Sequence, residues 1–171
     1  LARMLVAATT HGVLREMIVI ASFLGISDPR ERPADARAAA DAAHAQFADP
    51  KSEFVGILKL WQAYREAHEE MTQSQLRKWA DKQFLGFLRL REWWELHRQL
   101  KLQCEELGWE VGPERMSHAL VGGDSSPFAR SASQLGAEAP PTGKPSGFAS
   151  LHRALIAGLP TYIGNRGDRG I

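Results

Sequence analysis

A chain of 171 residues with 44% hydrophobic and 24% charged residues can bury the core of one domain and lies outside the disordered range. Twenty-one Lys and Arg against 20 Asp and Glu leave a formal net charge of +1, which argues against a uniformly basic nucleic-acid binder but not against a local basic face. The single cysteine, Cys104, excludes an intrachain disulfide framework. With no apolar run near about 18 residues and no basic-then-apolar N-terminal signal, the expectation is a soluble, cytoplasmic protein that does not enter a membrane.

Residues 1–9 carry an amphipathic pattern (Leu1, Met4, Leu5, Ala8), and His11-Gly12 supplies the glycine that closes such a helix. The chain begins inside this pattern, without Met, and is expected to be a piece of something longer. Residues 13–24, VLREMIVIASFL, are apolar on nearly every side except Arg15 and Glu16, as a central buried helix requires. DPRERP (28–33) then stops it with two prolines and four charges, as either a solvated turn or a specific latch. An Ala-rich helix is predicted over 34–48, with Ala36, Ala40, Ala43 and Phe47 on one side. Asp49-Pro50 predicts the next start, Asp as N-cap and Pro as first helical residue. That helix presents Phe54, Ile57, Leu58, Trp61 and Tyr64 to the core.

Residues 72–107 are the most informative stretch. At about 100° per residue, Leu76, Trp79, Ala80, Gln83, Phe84 and Phe87 share one side of a helix. From Trp93 the stripe passes to Leu96, His97, Leu100, Cys104 and Leu107, out of phase with the first. Two helices with a break near Gly86 explain the change of phase. The same stretch holds seven basic residues, Arg77, Lys78, Lys82, Arg89, Arg91, Arg98 and Lys101, against five acidic ones. Gly108 ends the pair, and residues 113–121 read as one more short helix. Residues 122–147 are rich in Gly, Ser, Pro and Ala, with almost no large apolar residues, so a flexible linker or surface insertion is expected. Helical spacing returns over 148–158, and LPTYIGN reads as the start of a strand.

No Gly-rich phosphate loop can be drawn, and the six histidines lack HExxH or CxxC partners, so neither a nucleotide site of those types nor a metal site is expected. His97 and Cys104 lie two turns apart, roughly 10 Å along a helix, too far for a base and its nucleophile; Cys104 reads as a core thiol of a reducing compartment. What remains is the basic helix face. It is either ordinary solvated surface or a contact for phosphates, which Lys and Arg neutralise without reading sequence. Trp94 falls outside the apolar stripe, near Arg98 and Lys101, where it serves either as a stacking platform for a base or as a contact to a neighbouring domain.

LARML, the apolar helix running into DPRERP, FADPKSE, LREWWELHRQL and LHRALIAGL occur here in one order. In that order they resemble the C-terminal region of bacterial HrpA-type DEAH-box ATP-dependent RNA helicases. The resemblance implies an all-α, ratchet-like bundle of roughly six to eight helices over 1–121, its extreme N-terminus being either part of that bundle or the end of a winged-helix domain. After the 122–147 insertion, residues 148–171 would be a helix and the first strand of a truncated OB-fold. It further implies an accessory wall of a channel for single-stranded RNA, with ATP and Mg bound not here but by motor domains of the same polypeptide. Arg89, Arg91 and Arg98 are the nearest matches to the family's basic residues on this helix. All motor motifs are missing, so no ATP hydrolysis is expected of this stretch alone. The alternative is a helical protein-interaction module that docks a partner through Trp94 and the linker, without nucleic acid.

Overall fold

Because Leu14–Leu24 is apolar around most of its circumference, it has to be surrounded. The computed structural model, which describes residues 1–112 and 147–158, surrounds it with helices. In chain order these are α1 (Ala2–His11), α2 (Leu14–Leu24), α3 (Arg37–Ala45), α4 (Glu53–Glu70), α5 (Gln73–Lys82), α6 (Phe87–Glu106) and α7 (Gly147–Gly158). They form an all-α bundle, as expected; among the described residues there is no strand, only an isolated bridge between Arg30 and Leu85. No helix among them is long and apolar enough to cross a membrane. The short helix predicted over 113–121, the insertion (Gly147 apart) and the OB-fold strand lie outside the described residues.

The central helix α2 packs against α1, α4, α6 and α7, and its residues from Met17 to Phe23 are all buried. Glu16 is buried as well, which a carboxylate tolerates only beside a cation; the Arg15 guanidinium supplies it. Helix α1 ends as predicted, with Gly12 left-handed at φ 67° and its N–H donated back to the carbonyls of Ala8 and Thr9. On its other side α1 meets α7 closely. A Cβ built on Gly158 lies 2.8 Å from the Met4 Cα, so this approach requires glycine.

Two boundaries differ from the reading of the sequence. The Ala-rich helix is shorter, Arg37–Ala45, with Ala40 alone of its residues buried. Upstream the Ala36 N–H donates to the Pro33 carbonyl in a turn, and downstream Phe47 is buried after the helix has ended. Helix α4 begins not at Asp49-Pro50 but at Glu53, with Ser52 as N-cap accepting from the Val55 N–H at 3.4 Å. Asp49 is committed elsewhere: one carboxylate oxygen accepts from the Lys51 N–H and the other pairs with Lys59 at 3.0 Å. The predicted core residues Ile57, Leu58, Trp61 and Tyr64 are buried, whereas Phe54 is half-buried and meets His152 of α7 edge-on.

The Ser52 hydroxyl has a second task. His152 Nδ1 donates to the Phe148 carbonyl at 2.8 Å, which in the neutral ring leaves Nε2 to accept from the Ser52 O–H at 2.7 Å. One side chain therefore caps α4 and fastens α7 to it. Ser52→Ala should lower the unfolding free energy by about 1–2 kcal/mol, the cap and the inter-helix bond together, read from urea denaturation. Ser52→Thr, which keeps an oxygen and a hydroxyl, should lose clearly less.

Candidate nucleic-acid interface

Helix α5 starts at a capping box: the Gln75 N–H donates to Thr72 Oγ1 at 3.4 Å and the Thr72 N–H to Gln75 Oε1 at 2.9 Å. Leu76 and Ala80 are buried, which turns Arg77, Lys78 and Lys82 outward, all exposed. Helix α6 buries Leu90, Trp93 and Cys104; Arg89, Arg91 and Arg98 are exposed and Lys101 is half-buried. The predicted break between the helices is present. Phe84 adopts the left-handed conformation (φ 54°), Leu85 is buried, and Gly86 is the N-cap of α6. The apolar stripe of α6 ends sooner than expected, since Leu107 is 65% exposed.

The seven basic residues do not make one patch. Lys78 and Lys82 are one turn apart, about 6 Å along the axis of α5. Arg91 and Arg98, two turns apart, share the outer side of α6 by helical phase, while Arg89 falls roughly opposite Arg91, at about 100° per residue. The Arg77 guanidinium lies 5.3 Å from the centre of the Phe87 ring and so closes the junction between the helices. Two of the arginines are paired: Arg89 with Glu92 at 2.9 Å and Arg98 with Glu95 at 3.0 Å. Both pairs are exposed i,i+3 contacts, worth only about 0.3–0.5 kcal/mol each, so a phosphate can replace the carboxylate. Lys78, Lys82 and Arg91 have no carboxylate within 4.0 Å among the described residues.

Trp94 is engaged within its own fold. It is half-buried, with its ring stacked on His68 at 4.1 Å and on Trp61 at 5.4 Å and set edge-on to Tyr64. His97 lies 4.4 Å from the Trp61 ring, and Trp93 4.8 Å from it. These rings bind α4 to α6. At the same contact, burial pushes the Tyr64 phenol up to about 12, only partly offset by the Arg91 charge nearby. Burial, and then Glu105, push the Cys104 thiol up, so it remains protonated and inert within the core.

The sequence reading missed what the 28–33 segment does. The turn-or-latch alternative resolves to a latch. The Glu31 N–H donates to the Phe84 carbonyl at 2.8 Å, the Gly86 N–H to the Pro29 carbonyl at 2.7 Å, and His44 Nε2 also donates to the Phe84 carbonyl at 3.0 Å. The signal for it was the dense alternation of Pro with charge; what it grips could not be read locally.

The all-α bundle is that of a helicase-associated domain. Residues 1–86 match the helicase associated domain (HA2), ratchet-like, and the chain belongs to that family. More particularly, it is similar to the "ATP-dependent RNA helicase HrpA homolog" of Haemophilus influenzae, 38% identical over 164 residues, and to the "ATP-dependent RNA helicase HrpA" of Escherichia coli K12, 32% identical over 164 residues. Each match covers 96% of this chain and 10% of the relative, so the chain spans about a tenth of the length of these curated relatives. It is a helicase-associated region of the HrpA type, as the ordered motifs implied.

Proposed function

We propose that this chain is an accessory, RNA-contacting domain of an ATP-dependent RNA helicase acting in the cytoplasm. Exposed cations of α5 and α6 hold the phosphates of single-stranded RNA, and ATP with Mg is handled by motor domains of the same polypeptide. The observation that carries this reading is the set Lys78, Lys82 and Arg91, exposed and without carboxylate partners. The names of the two relatives, both ATP-dependent RNA helicases, support RNA as the polyanion and an ATP-driven engine elsewhere in the polypeptide. Contacts of this kind track the backbone and are indifferent to base identity.

Binding of a labelled single-stranded oligoribonucleotide, followed by anisotropy against salt, tests it. Each lost phosphate contact should lower the slope of log affinity against log salt by about 0.7. Replacing Lys78, Lys82, Arg91 and Arg98 together by Glu should abolish binding while the far-UV circular dichroism stays unchanged. Undiminished binding by this variant would reject the assignment. A second reading has its own observation: Leu88 (65%) and Leu102 (47%) are exposed on the outer side of α6. If that side docks a protein instead, Leu88→Ser with Leu102→Ser weakens the complex and RNA is not bound at all.

A further inference from the structure

The two basic helices touch each other and both reach α4, but their main seats differ. Helix α5 packs on α4, whereas α6 packs chiefly on α2 and meets α4 through aromatic contacts, Trp93, Trp94 and His97 against Trp61. Between them lie Gln83 to Gly86, where Phe84 holds a left-handed backbone conformation that costs a non-glycine residue about 1–2 kcal/mol. Such a conformation persists only where its surroundings over-determine it. Here the surroundings are His44, whose ring donates to the Phe84 carbonyl, and the backbone groups of Pro29 and Glu31, which flank Arg30 and pair with Gly86 and Phe84. Arg30 in turn ties that strand-like segment down. Its Nε and Nη2 fork onto the Asp28 carboxylate at 2.6–3.1 Å, Nη2 also reaches Glu53 in the first turn of α4 at 2.9 Å, and the guanidinium lies 5.8 Å from the Phe23 ring of α2.

We propose that Arg30 is a positioning residue for the RNA contact. By fixing the 28–31 segment to α2 and α4 it sets the angle at the α5–α6 break, and so the distance between the Lys78–Lys82 and Arg91–Arg98 pairs. This rests on the RNA reading given above. Both pairs can then engage one strand at once. Arg30 touches no RNA itself; it determines whether the two pairs act as one site or as two weaker ones. A planar guanidinium is needed, because it alone of the cationic side chains presents a fork to one carboxylate while donating to a second.

Two measurements on the 171-residue chain test the proposal. Spin labels at Ser74→Cys in α5 and Gln99→Cys in α6, both exposed positions outside the basic pairs, report the inter-helix distance distribution; buried Cys104 stays unlabelled. Arg30→Ala should broaden that distribution, weaken RNA binding about tenfold, and lower the salt slope by about 1.4, the value of two phosphates. Arg30→Lys should not restore it. Should Arg30→Ala fail to fold, Glu53→Ala, at a carboxylate 70% exposed, removes one anchor without touching the core and should give the same changes in smaller measure. An unchanged distribution overturns the proposal, as does a broadened one with RNA affinity and slope intact. Broadening with no RNA binding even by the parent chain keeps Arg30 as the hinge clamp but overturns the RNA reading and the consequence drawn from it.

Discussion

Trp93→Ala lowers the unfolding free energy by about 3–5 kcal/mol, the largest effect expected of any single substitution here. The indole is fully buried between α2 and α4, 5.0 Å from the Phe23 ring and 4.8 Å from that of Trp61. Its N–H donates to the Val19 carbonyl at 3.2 Å and to Ser22 Oγ at 3.0 Å, both on the central helix. Removal therefore opens a large cavity at the contact that seats α6, and it deprives Ser22 Oγ of its donor. Val19 is less affected, because the Ser22 hydroxyl continues to donate to its carbonyl at 2.8 Å. Trp93→Phe separates the two contributions: it keeps most of the ring and loses only the donor, for about 1–3 kcal/mol. Urea denaturation followed by circular dichroism gives both values. If the two variants lose equally, the hydrogen bonds and not the packing hold α6 in place.

The sequence disclosed what one helix can disclose by itself. The all-round apolar surface of 13–24 required a central position, and the phase change across 76–107 required a break near Gly86; the structure has both. It was silent wherever two distant segments settle the matter. Asp49 and Ser52 are equally good N-caps on local grounds, and only the Lys59 ammonium and the His152 ring decide between them. Trp94 lies off the stripe of its own helix, so periodicity left it open for a ligand; His68, 26 positions earlier in the chain, packs against it. The break itself shows the same limit. Gly86 marked where it falls, but the left-handed residue is Phe84, held by backbone groups from 29–31 that no local pattern can connect to it. The basic residues were legible as a set and not as an arrangement, because ion pairing and the angle between two helices divide them.

Above pH 10 the protein should lose about 2–3 kcal/mol of stability that Tyr64→Phe does not lose. The Tyr64 side chain is fully buried, and its hydroxyl has no hydrogen-bond partner among the described residues. Burial disfavours the phenolate and pushes the phenol from its ordinary value of 10.0 up to about 12 in the folded chain. The sign follows from proton counting. Between pH 10 and 12 the unfolded chain releases this proton and the folded chain keeps it, so rising pH favours unfolding; below 10 both forms hold it and the stability is fully present. Lysines and arginines titrate in both proteins alike, so the difference between parent and variant isolates Tyr64. At pH 7 the same substitution should be neutral or stabilise by up to about 1 kcal/mol, since a buried hydroxyl without a partner is a cost that Phe does not carry. Urea midpoints at pH 7, 9 and 11 decide the matter: at pH 11, midway through the window, about half of the loss, roughly 1.4 kcal/mol, should be present. Parallel pH dependences for the two proteins would show that the phenol is hydrated in the folded state. Because Tyr64 packs edge-on against Trp94 and feels the Arg91 charge, a hydrated phenol would also mean that the aromatic contact between α4 and α6 is open to solvent.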